Sequence, residues 1–223
     1  MARRKVTFDK VSEDEVEPPK IDEIPFLTNK IMTLPIHLPI ILYGMFYYGI
    51  TSDVQQVMVK GLTTLIMAQI VYGYLIYVNV SGDGKKKKNK DNLFLLLASS
   101  IIIPIFLSLP VFGIVILMGA PLASHLYETL LLAAHVSLII FTPVIVLFKL
   151  NFSKFSIIVQ KIDLKSIWNN SILLSILASI IATWCGVIPI PLDWDRPWQN
   201  WPITLLVGSY LGYFLGSFIK LFI

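Results

Sequence analysis

The sequence predicts an all-α membrane protein, a bundle of about six transmembrane helices with short loops behind a disordered cytoplasmic N-terminal tail. Three observations predict it. Hydrophobic residues make up 56% of the 223 and charged ones only 14%, where a soluble domain carries about 25% charged. Mean hydropathy is +0.74. The apolar residues gather into runs that approach the roughly 20 residues a helix needs to cross hydrocarbon.

The chain divides into a tail, 1–30, and a polytopic transmembrane domain, 31–223. The tail mixes six basic residues with Asp9, Glu13, Asp14, Glu15, Glu17, Asp22 and Glu23, and Pro18 and Pro19 break it. With so little apolar surface to bury, it reads as disordered. No basic stretch leads directly into a short apolar core, so a cleaved signal peptide is not expected.

Six spans follow, at about 31–50, 57–80, 93–118, 126–148, 172–188 and 203–223. Pro35 and Pro39 predict a kink in the first, and Pro104 and Pro110 an interruption in the third, because proline removes a donor and crowds the preceding turn. Either of these two spans would then be broken or re-entrant. Cys185, the single cysteine, excludes an intrachain disulfide and is expected to pack as a small hydrophobe.

Charge sets the orientation. Six Lys/Arg lie in the tail, five in the loop after the second span (Lys85, Lys86, Lys87, Lys88 and Lys90), four around the loop after the fourth, and Lys220 near the C-terminus. These are sixteen of the eighteen, all on one side in a six-span chain; Arg196 lies opposite and Lys60 at an edge. The positive-inside rule therefore places both termini in the cytoplasm. It also makes a nucleic-acid partner unexpected, since the basic residues are membrane-proximal. Asn79, Asn151 and Asn169 begin Asn-x-Ser acceptors, all on or beside the cytoplasmic side, so none should be glycosylated.

The stretch Ile188-Pro-Ile-Pro-Leu-Asp-Trp-Asp-Arg-Pro-Trp-Gln-Asn-Trp-Pro202 holds four of the thirteen prolines and three of the five tryptophans. It falls on the opposite, lumenal or external face. Prolines exclude a continuous helix through it. Trp194, Trp198 and Trp201 suit the headgroup level, with apolar bodies and one donor each. Asp193 and Asp195 are two apart, a spacing that on an extended segment turns both carboxylates one way, able to hold a divalent ion on a phosphate. The alternative is an ion pair with Arg196 that fixes the loop.

Two further sets of residues carry signals. Gly208, Gly212 and Gly216 share one face of the sixth span, and Ala178, Ala182 and Gly186 repeat the idea in the fifth. Such faces let two backbones touch, within the chain or with a partner. The fourth span opens with His125 and Glu128, three apart, and reaches His135 about 10 Å further along the axis. One helix cannot bring all three to one metal, and His37 is the only other histidine, so no metal or cofactor site is expected. Glu128, near a helix start, is placed as a structural or partner-anchoring carboxylate. No Ser or Cys stands in a nucleophile motif.

Gly119-Ala-Pro-Leu122 followed by Glu128-Thr129, then Ser166-Ile-Trp168-x-Asn170-Ser171, then Trp184-x-Gly186-x-x-Pro-Ile-Pro-Leu-Asp-Trp-x-Arg-Pro-Trp-Gln-x-Trp-Pro202, resembles the phosphatidylinositol-glycan biosynthesis class F family. The resemblance runs from about Gly119 to Gly216, and over 1–92 it rests on the pattern of spans. It implies a non-catalytic, stabilising subunit in the endoplasmic reticulum membrane. The partner implied is the large catalytic enzyme that moves ethanolamine phosphate from phosphatidylethanolamine to the GPI-anchor precursor. On this resemblance Glu128, Asp193, Trp194, Arg196, Trp198 and Trp201 are expected to bind the partner or a membrane lipid, phosphatidylethanolamine or the GPI precursor. The alternative is a small lipid-handling enzyme using Asp193, Asp195 and Arg196 around a phosphate.

Overall fold

A computed structural model describes residues 25–81, 92–121, 124–151, 156, 164–192 and 194–222. Residues 1–24 of the expected tail, the Lys85–Lys90 run, Leu122, Lys154, Lys161, Asp193 and Ile223 lie outside them. The described residues form helices α1 (His37–Tyr47), α2 (Val54–Asn79), α3 (Leu93–Leu117), α4 (Leu126–Phe148), a short α5 (Leu164–Asn169), α6 (Ser171–Cys185) and α7 (Ile203–Ile219). Two two-residue strands, β1 (Phe26–Leu27) and β2 (Val80–Ser81), pair antiparallel with Phe26 opposite Ser81. By length and composition α2, α3 and α4 can each cross a membrane; α1, α6 and α7 are shorter apolar helices.

α4 is the central helix. In its most apolar window 78% of residues are buried inside the protein, against 22% in α3, whose outer face carries Phe94, Ile102, Phe106 and Leu109. α2 and α3 pack on α4, while α6 and α7 form the most extensive pairing of the molecule. α1 packs against α2 and α7.

The prolines act differently from expectation. Pro35 lies before α1 and Pro39 is its third residue, where a backbone N–H would have no partner inside the helix anyway. The first span is thus a shorter helix that begins beside its prolines and is not kinked by them. α3 runs unbroken through Pro104 and Pro110. Pro104 has no N–H to give to the carbonyl of Ser100, four residues back, and that carbonyl accepts the Thr142 Oγ1 hydroxyl of α4 at 2.9 Å. The Pro104 carbonyl accepts from Ser137 Oγ at 2.6 Å. Neighbouring side chains therefore resupply the missing hydrogen bond, as an apolar surrounding demands.

The seam between α6 and α7 is made by small residues. A Cβ on Gly212 would stand 2.6 Å from the Ala178 carbonyl oxygen, and one on Gly216 would stand 2.7 Å from Ser175 Cα. One on Gly208 would strike the Ala182 carbonyl. The three glycines thus face α6 of their own chain, and Ser179 Oγ crosses the seam to the Ser209 carbonyl at 2.9 Å. Cys185, expected to pack inside, is the last residue of α6 and is exposed.

Residues 25–30, inside the expected tail, run across one end of the bundle. Thr28 Oγ1 donates to the Asn79 carbonyl at 2.9 Å, and the Pro25 carbonyl accepts from Asn170 Nδ2 at 2.9 Å. The Asn170 side-chain oxygen caps α6 by accepting from the N–H groups of Ile172 and Leu173. Lys30 Nζ donates to the Lys220 carbonyl at 3.2 Å. This segment ties the ends of α2 and α7 to the start of α6.

Candidate functional site

The opposite end of the bundle carries the 186–202 loop, built by local backbone hydrogen bonds and one side chain. Val187, Ile188 and Ile190 N–H groups bond back to Trp184, Cys185 and Val187, so the chain leaves α6 in tight turns. Pro197 opens a three-residue 3₁₀ turn, Pro197–Gln199, where proline's fixed φ suits a first helical position. Gln199 then holds three backbone segments together. Its Nε2 donates to the carbonyls of Pro189 at 2.7 Å and Leu192 at 2.9 Å, and its Oε1 accepts the Arg196 N–H at 2.8 Å.

Trp201 anchors the loop to α4. Its Nε1–H donates to Thr129 Oγ1 at 3.0 Å, and that hydroxyl donates to the His125 carbonyl at 2.7 Å. Beside it, Glu128 Oε1 accepts from Gln55 Nε2 of α2 at 2.9 Å and lies 3.5 Å from His125 Nδ1. Glu128 therefore clasps the N-terminal ends of α2 and α4. Trp194 and Trp198 stand apart from this clasp, with ring centroids 5.9 Å apart, and both are exposed.

Of the residues singled out from sequence, Glu128 and Trp201 meet at the α4 N-terminus, Glu128 as a residue of its first turn and Trp201 from the loop through Thr129. Trp194, Arg196 and Trp198 project from the loop. Asp193 lies outside the described residues, and with it the Asp-x-Asp pair. Asp195 adopts φ +46°, a left-handed conformation that aspartate tolerates better than most side chains. Among the described residues no carboxylate lies within ion-pair distance of the Arg196 guanidinium, and the ion pair present is His125–Glu128. Instead Asp195 and Arg196 line one open depression with Ile190, Leu192, Gln199 and Asn200, about 360 Å³ in volume. Asp195 and Arg196 form no ion pair, an Asp193–Arg196 pair falls outside the described residues, and Gln199 supplies the side-chain hydrogen bonds that hold the loop.

A second, smaller cleft has a volume of about 90 Å³. The end of α3 supplies Val115 and Met118, the end of α6 Thr183 and Trp184, and the start of α7 Leu205, with Val187 and Trp201 from the loop. Among the described residues no three His, Cys, Asp or Glu side chains are grouped to hold a metal ion.

Deeper in the bundle His135 joins three helices. Its Nδ1 is 2.7 Å from the Tyr210 hydroxyl of α7 and its Nε2 is 3.0 Å from the Met58 carbonyl of α2. A carbonyl only accepts, so Nε2 carries the proton and the neutral ring accepts from tyrosine at Nδ1. The histidine is a packed structural group.

Gln199 and Thr129 were not singled out from the sequence. Gln199 had a signal: glutamine three residues after the loop residue that precedes Pro197 is the pattern of a helix start whose amide reaches back. Thr129 entered only within the motif that carries the family resemblance, and Gln55 had no signal, because its partner comes from another element.

The model of the family described as "GPI biosynthesis protein family Pig-F" matches residues 33–221. A protein of Debaryomyces hansenii named glycosylphosphatidylinositol anchor biosynthesis protein 11 is 44% identical, over 96% of this chain and 94% of its own length. The Candida albicans protein of the same name is 43% identical, over 90% of this chain and 83% of its own. A human protein named GPI ethanolamine phosphate transferase, stabilizing subunit, is 38% identical over 48% of this chain and 49% of its own length. No solved structure matches.

Proposed function

This chain belongs to the GPI biosynthesis protein family Pig-F, and from that premise we propose that it is a non-catalytic, stabilising subunit of a GPI ethanolamine phosphate transferase. It binds the large catalytic subunit in the endoplasmic reticulum membrane, with both termini cytoplasmic and the 186–202 loop lumenal. Support comes from the printed names of the relatives and from the charge distribution, sixteen of eighteen Lys/Arg on the side opposite the loop.

One observation on the molecule carries the reading: a loop held rigid by Gln199 and Trp201 presents Trp194 and Trp198 outward as a pair. Exposed tryptophans on a preordered backbone lose little entropy on docking and are the residue type that dominates interfaces. Glu128 joins the N-terminal ends of α2 and α4 through Gln55. Trp194, Trp198 and Arg196 are the residues that meet the partner or its lipid.

Affinity purification of the full chain from its own membranes in mild detergent, with companions identified by mass spectrometry, is expected to recover a large transferase subunit. Recovery of none overturns the reading. The double variant Trp194→Ala, Trp198→Ala should recover less partner, with transferase activity falling in proportion. Normal recovery with lower activity per complex would move the pair from partner docking to lipid contact.

A further inference from the structure

The two prolines inside α3 are treated differently by the rest of the chain. Pro104 is buried, and the carbonyl it leaves free, on Ser100, accepts from Thr142 of α4. Pro110 is exposed. It too has no N–H, so the carbonyl of Phe106, four residues back, loses its helix donor. Among the described residues no side chain replaces that donor. The Ser108 hydroxyl, two residues on, donates to the Ile105 carbonyl instead. Phe106 is 70% exposed and lies near the middle of a helix long enough to cross a membrane. At that depth neither water nor a headgroup reaches the carbonyl, and hydrocarbon has no donor to give.

The same face carries a glycine that the chain itself does not use. Ile102, Phe106, Leu109, Pro110, Gly113 and Leu117 fall within about 100° of one another around α3, at about 100° per residue. The four large side chains among them are exposed. A Cβ on Gly113 would meet nothing within 4 Å, whereas all three glycines of α7 are pressed against α6. Glycine weakens a helix interior, and no contact inside the chain requires it at this position. A glycine lets a second backbone come close, and a hydroxyl on that second helix can donate to a freed carbonyl. The Phe106 carbonyl points along the axis toward Pro110, one turn before Gly113, so one helix crossing serves both.

We propose that this face of α3 docks one transmembrane helix of another polypeptide, a helix that carries a Ser or Thr at the level of Phe106. The hydroxyl donates to the Phe106 carbonyl as Thr142 donates to Ser100 within the chain. The incoming backbone crosses at Gly113, with Phe106, Leu109 and Leu117 packed around it. This is a contact inside the membrane, additional to the 186–202 loop. Its partner is defined by chemistry and not by the subunit reading.

The test puts a photoreactive benzophenone amino acid in place of Leu109 in the full chain, in its own membranes. The same group in place of Met67, an exposed residue of α2, measures the lipid background. Adducts are digested and mapped by mass spectrometry. The Leu109 probe is expected to join an apolar segment of about 20 residues in another polypeptide, with a Ser or Thr within one turn of the adduct. The Met67 probe should join phospholipid. Pro110→Ala returns an N–H to α3 and gives the Phe106 carbonyl a partner within the helix. It should lower the adduct yield about threefold, the worth of one hydrogen bond in a bilayer, while the melting temperature of the purified chain holds or rises. Removing the partner's hydroxyl should lower the yield by the same factor, and no further when Pro110→Ala is already present. Gly113→Leu should lower it about tenfold by holding the backbones apart, with no loss of melting temperature.

Phospholipid adducts from the Leu109 probe, as from Met67, would make this face lipid-solvated and overturn the proposal. Adducts to a second copy of this chain would overturn it as well. So would a yield indifferent to both variants, or a melting temperature lowered by Pro110→Ala, which would show that the chain needs this proline for itself. A matching helix in a protein that is no transferase would uphold the contact and count against the subunit reading.

Discussion

Gln199 reaches two carbonyls with one amide nitrogen, and a negative charge at that atom would face both oxygens. Gln199→Glu is nearly identical in shape but replaces the donating amide by an acceptor. It is expected to loosen the loop by about 2 kcal/mol, two hydrogen bonds lost from a partly exposed site. Tryptophan fluorescence of the exposed Trp194–Trp198 pair should then lose its ordered character, and partner recovery should fall. Unchanged fluorescence anisotropy and unchanged recovery would mean that the prolines alone hold the loop. Trp201 belongs to the same scale: its ring closes the cleft, but its single N–H is what sets the ring's orientation on α4.

α3 survives two internal prolines because α4 supplies what Pro104 removes. Thr142→Val keeps the shape of the side chain and deletes its hydroxyl, leaving the Ser100 carbonyl without that donor. In a bilayer such a bond is worth about 1 kcal/mol. Thermal or denaturant unfolding in detergent should show a loss of that order, while Thr142→Ser should lose less. A neutral Thr142→Val would mean that the freed carbonyl finds another donor. The α6–α7 seam is less forgiving. Leucine at Gly212 would have to displace the backbone carbonyl of Ala178 and the Cα of Ser179, as well as the Ala182 methyl. Gly212→Leu is expected to cost about 3 kcal/mol and to lower the amount of folded chain even when no partner is present. A variant of normal stability that fails only in partner recovery would place this face at the intermolecular boundary instead.

For the whole molecule, the two ends of the bundle differ in kind. One end is tied by main-chain pairing and polar side chains from residues 25–30. The other carries the Gln55–Glu128 clasp and the rigid loop. A glycosylation acceptor inserted in a lengthened 188–202 loop is expected to be used, while Asn79, Asn151 and Asn169 remain unmodified. Asn79 is buried, with its amide donating to the Leu75 carbonyl at 2.8 Å, so its burial alone would keep a glycosyltransferase away. Modification at Asn151 would reverse the orientation.

The long apolar runs determined the helical membrane class and the extent of most helices, because backbone groups in hydrocarbon have to be satisfied within the helix itself. Proline, aspartate and tryptophan density marked the 186–202 loop, since those residues restrict the chain locally. The partners were decided elsewhere. Which donor meets the Ser100 carbonyl, which helix the Gly212 face touches and which side chain holds the loop depend on residues about 30 to 70 positions apart in some cases and on one amide in another. Proline signals a lost donor at its own position, but only the neighbouring helix decides whether that loss becomes a kink. An ion pair of Arg196 with the neighbouring aspartates was expected from adjacency in sequence, and of these Asp195 is among the described residues. A left-handed φ at Asp195 accompanies two side chains that stay apart in space, a torsion that residue order alone does not contain.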